Sequence, residues 1–288
     1  MKRALVHSGG AVKGAWCAGV IQHLLGDLEL HYDIMAGTSV GAINTSFLAM
    51  FKQGEEKQAA ELMKNWWLKL DSSKIYKPWM FWGRTAVAWK KSFYDSSPLQ
   101  NLIRKNISLE KIRESGKKIA IGALNLHTGK YVVFDQDDDD FIDAILASSA
   151  FPSALTPIKI GNDLYIDGGM KTISPIKLAI EMGADEIDVI TTSPNIRDKK
   201  FIADPNIIDI VMRAFDVATD KILSNDIELA TMYNKLAEVG STDKKVVKLR
   251  IIRPHYNLVS NVFDFDPVKI KAMINDGYED VKSILSEG

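Results

Sequence analysis

Ser39 stands between two glycines in Gly37-Thr38-Ser39-Val40-Gly41, and that spacing suits a serine asked to act as a nucleophile. A nucleophile elbow is a strained strand-to-helix turn that lifts a hydroxyl clear of the sheet, and its crowded backbone leaves room only for small residues on either side. The flanks agree. Tyr32-Asp33-Ile34-Met35-Ala36 reads as a strand, and Ala42 to Met50 reads as a helix. A lone G-x-S-x-G match arises often by chance, so its accompaniment decides the matter.

A second strand, glycine loop and helix lies upstream. Ala4 to Ser8 runs into Gly9-Gly10-Ala11-Val12-Lys13-Gly14, followed by the apolar Ala15-Trp16-Cys17-Ala18. Backbone amides left unpaired at such a helix start attract negative charge, whether a phosphate or the oxyanion of an acyl-transfer intermediate. The dinucleotide fingerprint fails because Gly9 and Gly10 are adjacent. The P-loop fails because Ala15 and Trp16 stand where a lysine and a hydroxyl residue belong. An oxyanion hole for Ser39 accounts for more of the pattern than a nucleotide site or a plain turn.

The third piece is Asp167-Gly168-Gly169 after Asp163-Leu164-Tyr165-Ile166. A glycine loop, a G-x-S-x-G elbow and a D-G-[GA] segment in this order resemble the signature of the patatin-like phospholipases. Ala147-Ser148-Ser149-Ala150-Phe151-Pro152 is similar to that family's A-S-x-A-x-P stretch. The chain departs from the pattern at Ala11, where a third glycine is usual, and at Lys13, where arginine is commoner. The resemblance implies a three-layer α/β fold with a mostly parallel sheet covered by helices on both faces. It also implies a Ser39/Asp167 dyad, an oxyanion hole on the backbone of Gly9, Gly10 and Ala11, and supporting roles for Gly37, Gly41, Lys13, Gly14, Gly168 and Gly169. No cofactor and no metal is implied. Serine needs a neighbouring base to take its proton during attack on an ester. A free aspartate, with a pKa of about 3.9, is poorly matched to that duty, so geometry and oxyanion stabilisation are expected to carry much of the rate.

A triad in the order Ser, Asp, His would have to use His255, the one histidine after Asp167. Its setting in Arg253-Pro254-His255-Tyr256 reads as a surface loop. His7, at the end of the first strand, is expected to pack or hydrogen-bond beside the glycine loop.

These groups need a scaffold. Strands are expected over 3–8, 32–36, 117–124, 130–134, 185–192 and 246–253, and helices over 15–26, 40–53, 55–70, 175–183, 206–238 and 266–286. That alternation is the α/β pattern. At 288 residues and 46% hydrophobic composition, with no linker-like stretch, the chain reads as a single domain. Its motif-bearing core spans about 4–180, and 181–288 completes the sheet and helices.

A net charge of -1 gives no basic footprint for nucleic acid. The single cysteine, Cys17, suits a reducing, cytoplasmic setting, and the apolar run after Met1-Lys2-Arg3 is too short for a secretory leader. Asp137 to Asp140 lacks the alternating ligands and glycine of a calcium loop, and reads as a solvated turn.

Five of the six tryptophans, Trp66, Trp67, Trp79, Trp82 and Trp89, fall in one segment among several lysines and Arg84. Two readings stand side by side: a lid whose Trp79, Phe81 and Trp82 meet lipid at a membrane surface, or aromatics packed inward as core. The whole suggests a hydrolase of phospholipid or other acyl-lipid esters, associating at most peripherally with membranes. The oligomeric state stays open. Two competitors are a non-catalytic lipid-binding protein that keeps the fold and a nucleotide-binding protein using Gly9 to Gly14.

Overall fold

A computed structural model of the protein describes residues 1–79, 90–194, 207–241, 246–259 and 261–286. From the N-terminus, β1 (Arg3–His7) passes through the glycine loop into α1 (Gly14–Ile21), whose continuation widens to π-type turns at Gln22–Asp27. β2 (Ile34–Gly37) and α2 (Val40–Leu48) flank Ser39, and α3 (Glu56–Leu68) follows. Three short helices, α4 (Ser72–Ile75), α5 (Ser97–Asn106) and α6 (Leu109–Ser115), precede β3 (Lys118–Asn125), β4 (Tyr131–Asp135) and α7 (Phe141–Ser148). Next come β5 (Ile158–Ile160), β6 (Asp163–Asp167), α8 (Ile176–Glu181), β7 (Glu186–Ile190), α9 (Ile207–Glu238), β8 (Lys248–Ile252) and α10 (Pro267–Ser286).

Every expected strand and helix has a counterpart, within a few residues at most ends. Absent from the expectation were α4 to α7 and the β5–β6 hairpin. Each is ten residues or shorter, which leaves little periodicity to read. The Asp137–Asp140 run is a turn between β4 and α7, where the Asp137 and Asp138 segment closes on Asp135 and Arg113 reaches Asp139.

The eight strands form one mixed sheet. Its parallel centre runs β3-β2-β1-β7-β8. Strand β3 decides how the site is assembled. Ala120 and Ile121 pair with β2 on one edge and β4 on the other, whereas Ala123 and Leu124 pair with β4 and the antiparallel β6. Strands β2 and β6 therefore approach one another end to end along the same edge of β3. Gly37 closes β2 opposite Ile121, Asp167 closes β6 opposite Ala123, and Gly122 lies between them.

Both faces of the sheet are covered, as near-continuous apolar strands require. Leu5 and Met35 turn to a core built with α1, α2, α3, α7 and α10. Their neighbours Ala4, Val6, Ile34 and Ala36 turn to a second core with α8 and α9. Helix α10 crosses α1 so closely that a methyl group on Gly19 would strike the Ile274 carbonyl, and one on Gly277 would strike that of Trp16. The Trp16 indole donates to Asp280 at 2.8 Å across the same contact. On β7, buried Asp188 is gripped by both arms of Arg250 from β8, at 2.6 and 2.7 Å, and by the Tyr32 hydroxyl at 2.6 Å. Its charge is thus fully compensated.

Candidate active site

Ser39 sits between β2 and α2 with φ 57° and ψ −127°, a conformation a non-glycine residue adopts only where its surroundings impose it. The surroundings do so here. A Cβ on Gly37 would press into the Gly41 carbonyl and the Thr45 hydroxyl, and one on Gly41 would enter the His7 carbonyl. Two glycines let the turn close against β1. The Ser39 amide donates to the Ser148 hydroxyl at 3.0 Å, which ties the elbow to the end of α7.

Asp167 ends β6 on the far side of Gly122, and its carboxylate faces the Ser39 hydroxyl across the cavity wall. Its Oδ1 accepts the Gly169 amide at 2.8 Å. Burial pushes the carboxyl up to about 6, and the neighbouring Ser39 hydroxyl and the Gly169 amide hold it back from rising further. No histidine takes part. His255 is half exposed, with Nε2 3.8 Å from Asp280 on α10. His7 is buried, and burial holds its pKa down to about 4. The neutral ring donates from Nδ1 to the Ser8 carbonyl at 3.1 Å, and its Nε2 faces Asn44 Nδ2 at 3.1 Å. Asn44 Oδ1 in turn accepts from the Trp67 indole at 3.1 Å, so this chain of bonds braces the end of β1 as expected of His7.

The glycine loop follows β1 beside the elbow. Gly10 has φ 155°, and any Cβ there would collide with Thr192, whose hydroxyl is bonded to the Gly9 carbonyl at 2.7 Å. Ala11 has φ 50°, a left-handed conformation that glycine occupies at lower cost. The Gly9 amide donates to the Ile173 carbonyl at 3.3 Å. Among the described residues, no acceptor takes the amides of Gly10 or Ala11. Gly14 starts α1, where a Cβ would meet Val40 and Trp67 at 2.5 and 2.6 Å. Gly168 packs against Gly122 in the same way, and Lys13 lines the cavity below.

Ser39, Asp167 and the loop meet in a cavity of about 530 Å³ at the carboxyl ends of β1, β2 and β7. Its remaining wall is mostly apolar, with Ile43 of α2, Trp66 and Trp67 of α3, Phe215 and Leu223 of α9, and Phe263 among its members. The tryptophan-rich segment is thereby divided. Trp67 is core, 1% exposed, and half-buried Trp66 stacks on Phe47 at a centroid distance of 5.9 Å. Trp79 is half-buried, donating to the Ser92 carbonyl at 2.9 Å, with Lys90 4.7 Å above its ring. Phe81 and Trp82 lie outside the described residues. Sequence reasoning missed Asn44 and Thr192, since a single polar residue inside an apolar helix or strand end carries no motif of its own, and gave Ser148 only as part of the A-S-x-A-x-P stretch.

No helix among the described residues is long and apolar enough to cross a membrane. A probable lipid hydrolase of Invertebrate iridescent virus 6 is 25% identical over 264 residues, covering 84% of this chain and 89% of the viral protein. Human calcium-independent phospholipase A2-gamma is 25% identical over 204 residues, covering 62% of this chain, which matches 25% of that longer protein. The solved structure of VipD from Legionella pneumophila is similar over 99% of this chain and 67% of that one, at 13% identity and a TM-score of 0.49. The profile of the patatin-like phospholipases matches residues 5–180, a stretch that holds the glycine loop, the elbow and Asp167. The chain belongs to the patatin-like phospholipase family.

Proposed function

We propose that the protein is a serine hydrolase of carboxylic esters in phospholipids or other acyl lipids, working through an acyl-Ser39 intermediate. The observation that carries this reading is the Ser39 hydroxyl, raised on a strained turn beside the buried Asp167 carboxylate at the wall of an apolar cavity. As Ser39 Oγ attacks the ester carbonyl, Asp167 accepts its proton. The carbonyl oxygen, now an anion, takes hydrogen bonds from the Gly10 and Ala11 amides, which need no reorganisation to receive it. Collapse expels the alcohol, protonated by Asp167, and leaves the acyl group on Ser39. Asp167 then accepts a proton from attacking water, the second tetrahedral intermediate releases the fatty acid, and the proton returns to Ser39. The apolar walls hold the acyl chain.

Family membership and the viral relative described as a probable lipid hydrolase support the substrate class. Binding of the protein to lipid aggregates through Trp79, Phe81 and Trp82 belongs to the same reading, since aromatics flanked by cations suit a headgroup layer. Replacing the three together by serine should weaken hydrolysis of anionic vesicles and spare a soluble ester.

The deciding experiment is labelling with a fluorophosphonate, followed by peptide mass spectrometry. One adduct on Ser39, with burst release of product from a p-nitrophenyl ester, is the expected result. Hydrolysis that proceeds with Ser39 unlabelled would remove Ser39 from the mechanism.

A further inference from the structure

A second carboxylate, half-buried, lies beside the turn that follows β6. Asp226, on α9, has partial burial push it up to about 6, and among the described residues no cation pairs with it. A carboxylate drawn partly out of water needs hydrogen-bond partners to offset its lost hydration, so its partners are informative. The Ser174 amide donates to Asp226 Oδ2 at 3.2 Å, and the neighbouring Ile173 amide lies close by. Both residues belong to the turn that follows the Asp167-Gly168-Gly169 segment, and both reach the glycine loop. The Ile173 carbonyl accepts the Gly9 amide at 3.3 Å, and the Ser174 hydroxyl is bonded to that of Ser8. The Ile173 side chain fills the space beside Gly9 and Gly169, within 2.6 and 2.7 Å of where their Cβ atoms would stand.

We propose that Asp226 is a positioning residue, which clamps Ile173 and Ser174 so that they fix the Ser8-Gly9-Gly10 backbone beside Ser39. This rests on the hydrolase reading for its effect on rate, although the clamp itself does not. The physical reasoning is direct. A carboxylate accepting the Ser174 amide orients the Ile173–Ser174 peptide unit, and the opposite end of that unit carries the carbonyl that holds Gly9. Gly10 and Ala11 follow from Gly9, and the rate depends on their amides standing about 2.7 to 3.1 Å from the developing oxyanion. Loosening the clamp therefore weakens an interaction that matures in the transition state, lowering kcat more than it raises KM.

The test uses the full chain carrying Asp226→Ala or Asp226→Asn, with Glu228→Ala on the same helix as a control. Amide hydrogen exchange is followed over residues 8–11 and 172–175, and a soluble p-nitrophenyl ester is the substrate. Asp226→Ala should speed exchange of both segments at least tenfold while leaving that of β1 and β2 unchanged. It should also lower kcat at least tenfold, with KM altered less than threefold. Asp226→Asn, which keeps one acceptor oxygen in place, should recover most of both effects, and Glu228→Ala should match wild type. Unchanged exchange of residues 8–11 in Asp226→Ala overturns the inference, as does a loss spread evenly over the whole chain that Asp226→Asn fails to restore. A wild-type protein with no esterase activity and no fluorophosphonate adduct would instead overturn the hydrolase reading, and exchange would still decide the clamp.

Discussion

The carbonyl of His7 occupies the space into which a side chain on Gly41 would grow. The turn carrying Ser39 is thus pressed onto the end of β1, and the two cannot separate without opening the β1–β2 ladder that pairs His7 with Gly37. Gly41→Ala is expected to destabilise the fold by about 1–3 kcal/mol, as over-packing does. Thermal melting checks the first effect, and the fluorophosphonate labelling rate of whatever remains folded, which should fall, checks the local one.

Activity should depend on pH through Asp167. The carboxyl must be ionised to accept a proton, and burial sets its pKa at about 6, so kcat/KM should rise with pH through about 6 and level off above it. A profile still falling below pH 5 with no inflection near 6 would assign the base elsewhere.

The same shift bears on stability with a definite sign. Because the folded chain holds the Asp167 proton more tightly than the unfolded chain, native stability is lost as pH rises from about 4 through 6, by on the order of 3 kcal/mol. Asp167→Asn, which never ionises, should melt above wild type at pH 8, with the gap closing toward pH 4. Melting below wild type at both values would show that the charged form is favoured in place.

Ser39→Ala and Asp167→Asn should each remove at least about a thousandfold of turnover, and the double variant should lose little more, because the two act as one unit. His255→Ala should stay within about twofold of wild type, since His255 is half exposed beside Asp280. A loss for His255→Ala as deep as that for Ser39→Ala, with unchanged melting, would call for a triad.

At Ala11 the backbone is left-handed, with φ 50°. Ala11→Gly is expected to raise stability by about 0.5–1 kcal/mol by relieving that strain, with turnover equal or higher. A drop in turnover would mean that the methyl group holds the loop in its working shape.

Much of the site could be read from residues whose identity is forced by close contact. Gly37, Gly41, Gly9 and Gly10 announce themselves because no side chain fits where they stand, and Ser39 follows from them. Asp167 was legible only through its place in an ordered set of motifs, since the register of β6 on β3 that aims it is written in long-range pairing. Asp226 is harder still. It falls between buried Leu223 and Ala230 on the inner face of α9, an acid at an apolar position, and nothing local says which backbone it will meet. The Trp66–Trp89 cluster shows the limit of composition: Trp67 was as good a lipid-facing candidate as Trp79 until helix α3 turned it toward Asn44.

The end-to-end meeting of β2 and β6 also orders events in time. Ser39 and Asp167 are joined through a third strand, β3, and neither holds the other's backbone directly. A chain emerging from the ribosome completes the glycine loop, the elbow and α2 well before β6 exists, so its serine is strained but has no proton acceptor. The acceptor arrives when β6 zips onto Ala123, Leu124 and Asn125, by which point the central sheet must already be in register. Under the proposed mechanism, nucleophile activation serves as a checkpoint on sheet assembly: a misregistered β3 leaves an inert serine rather than an active and unguarded one.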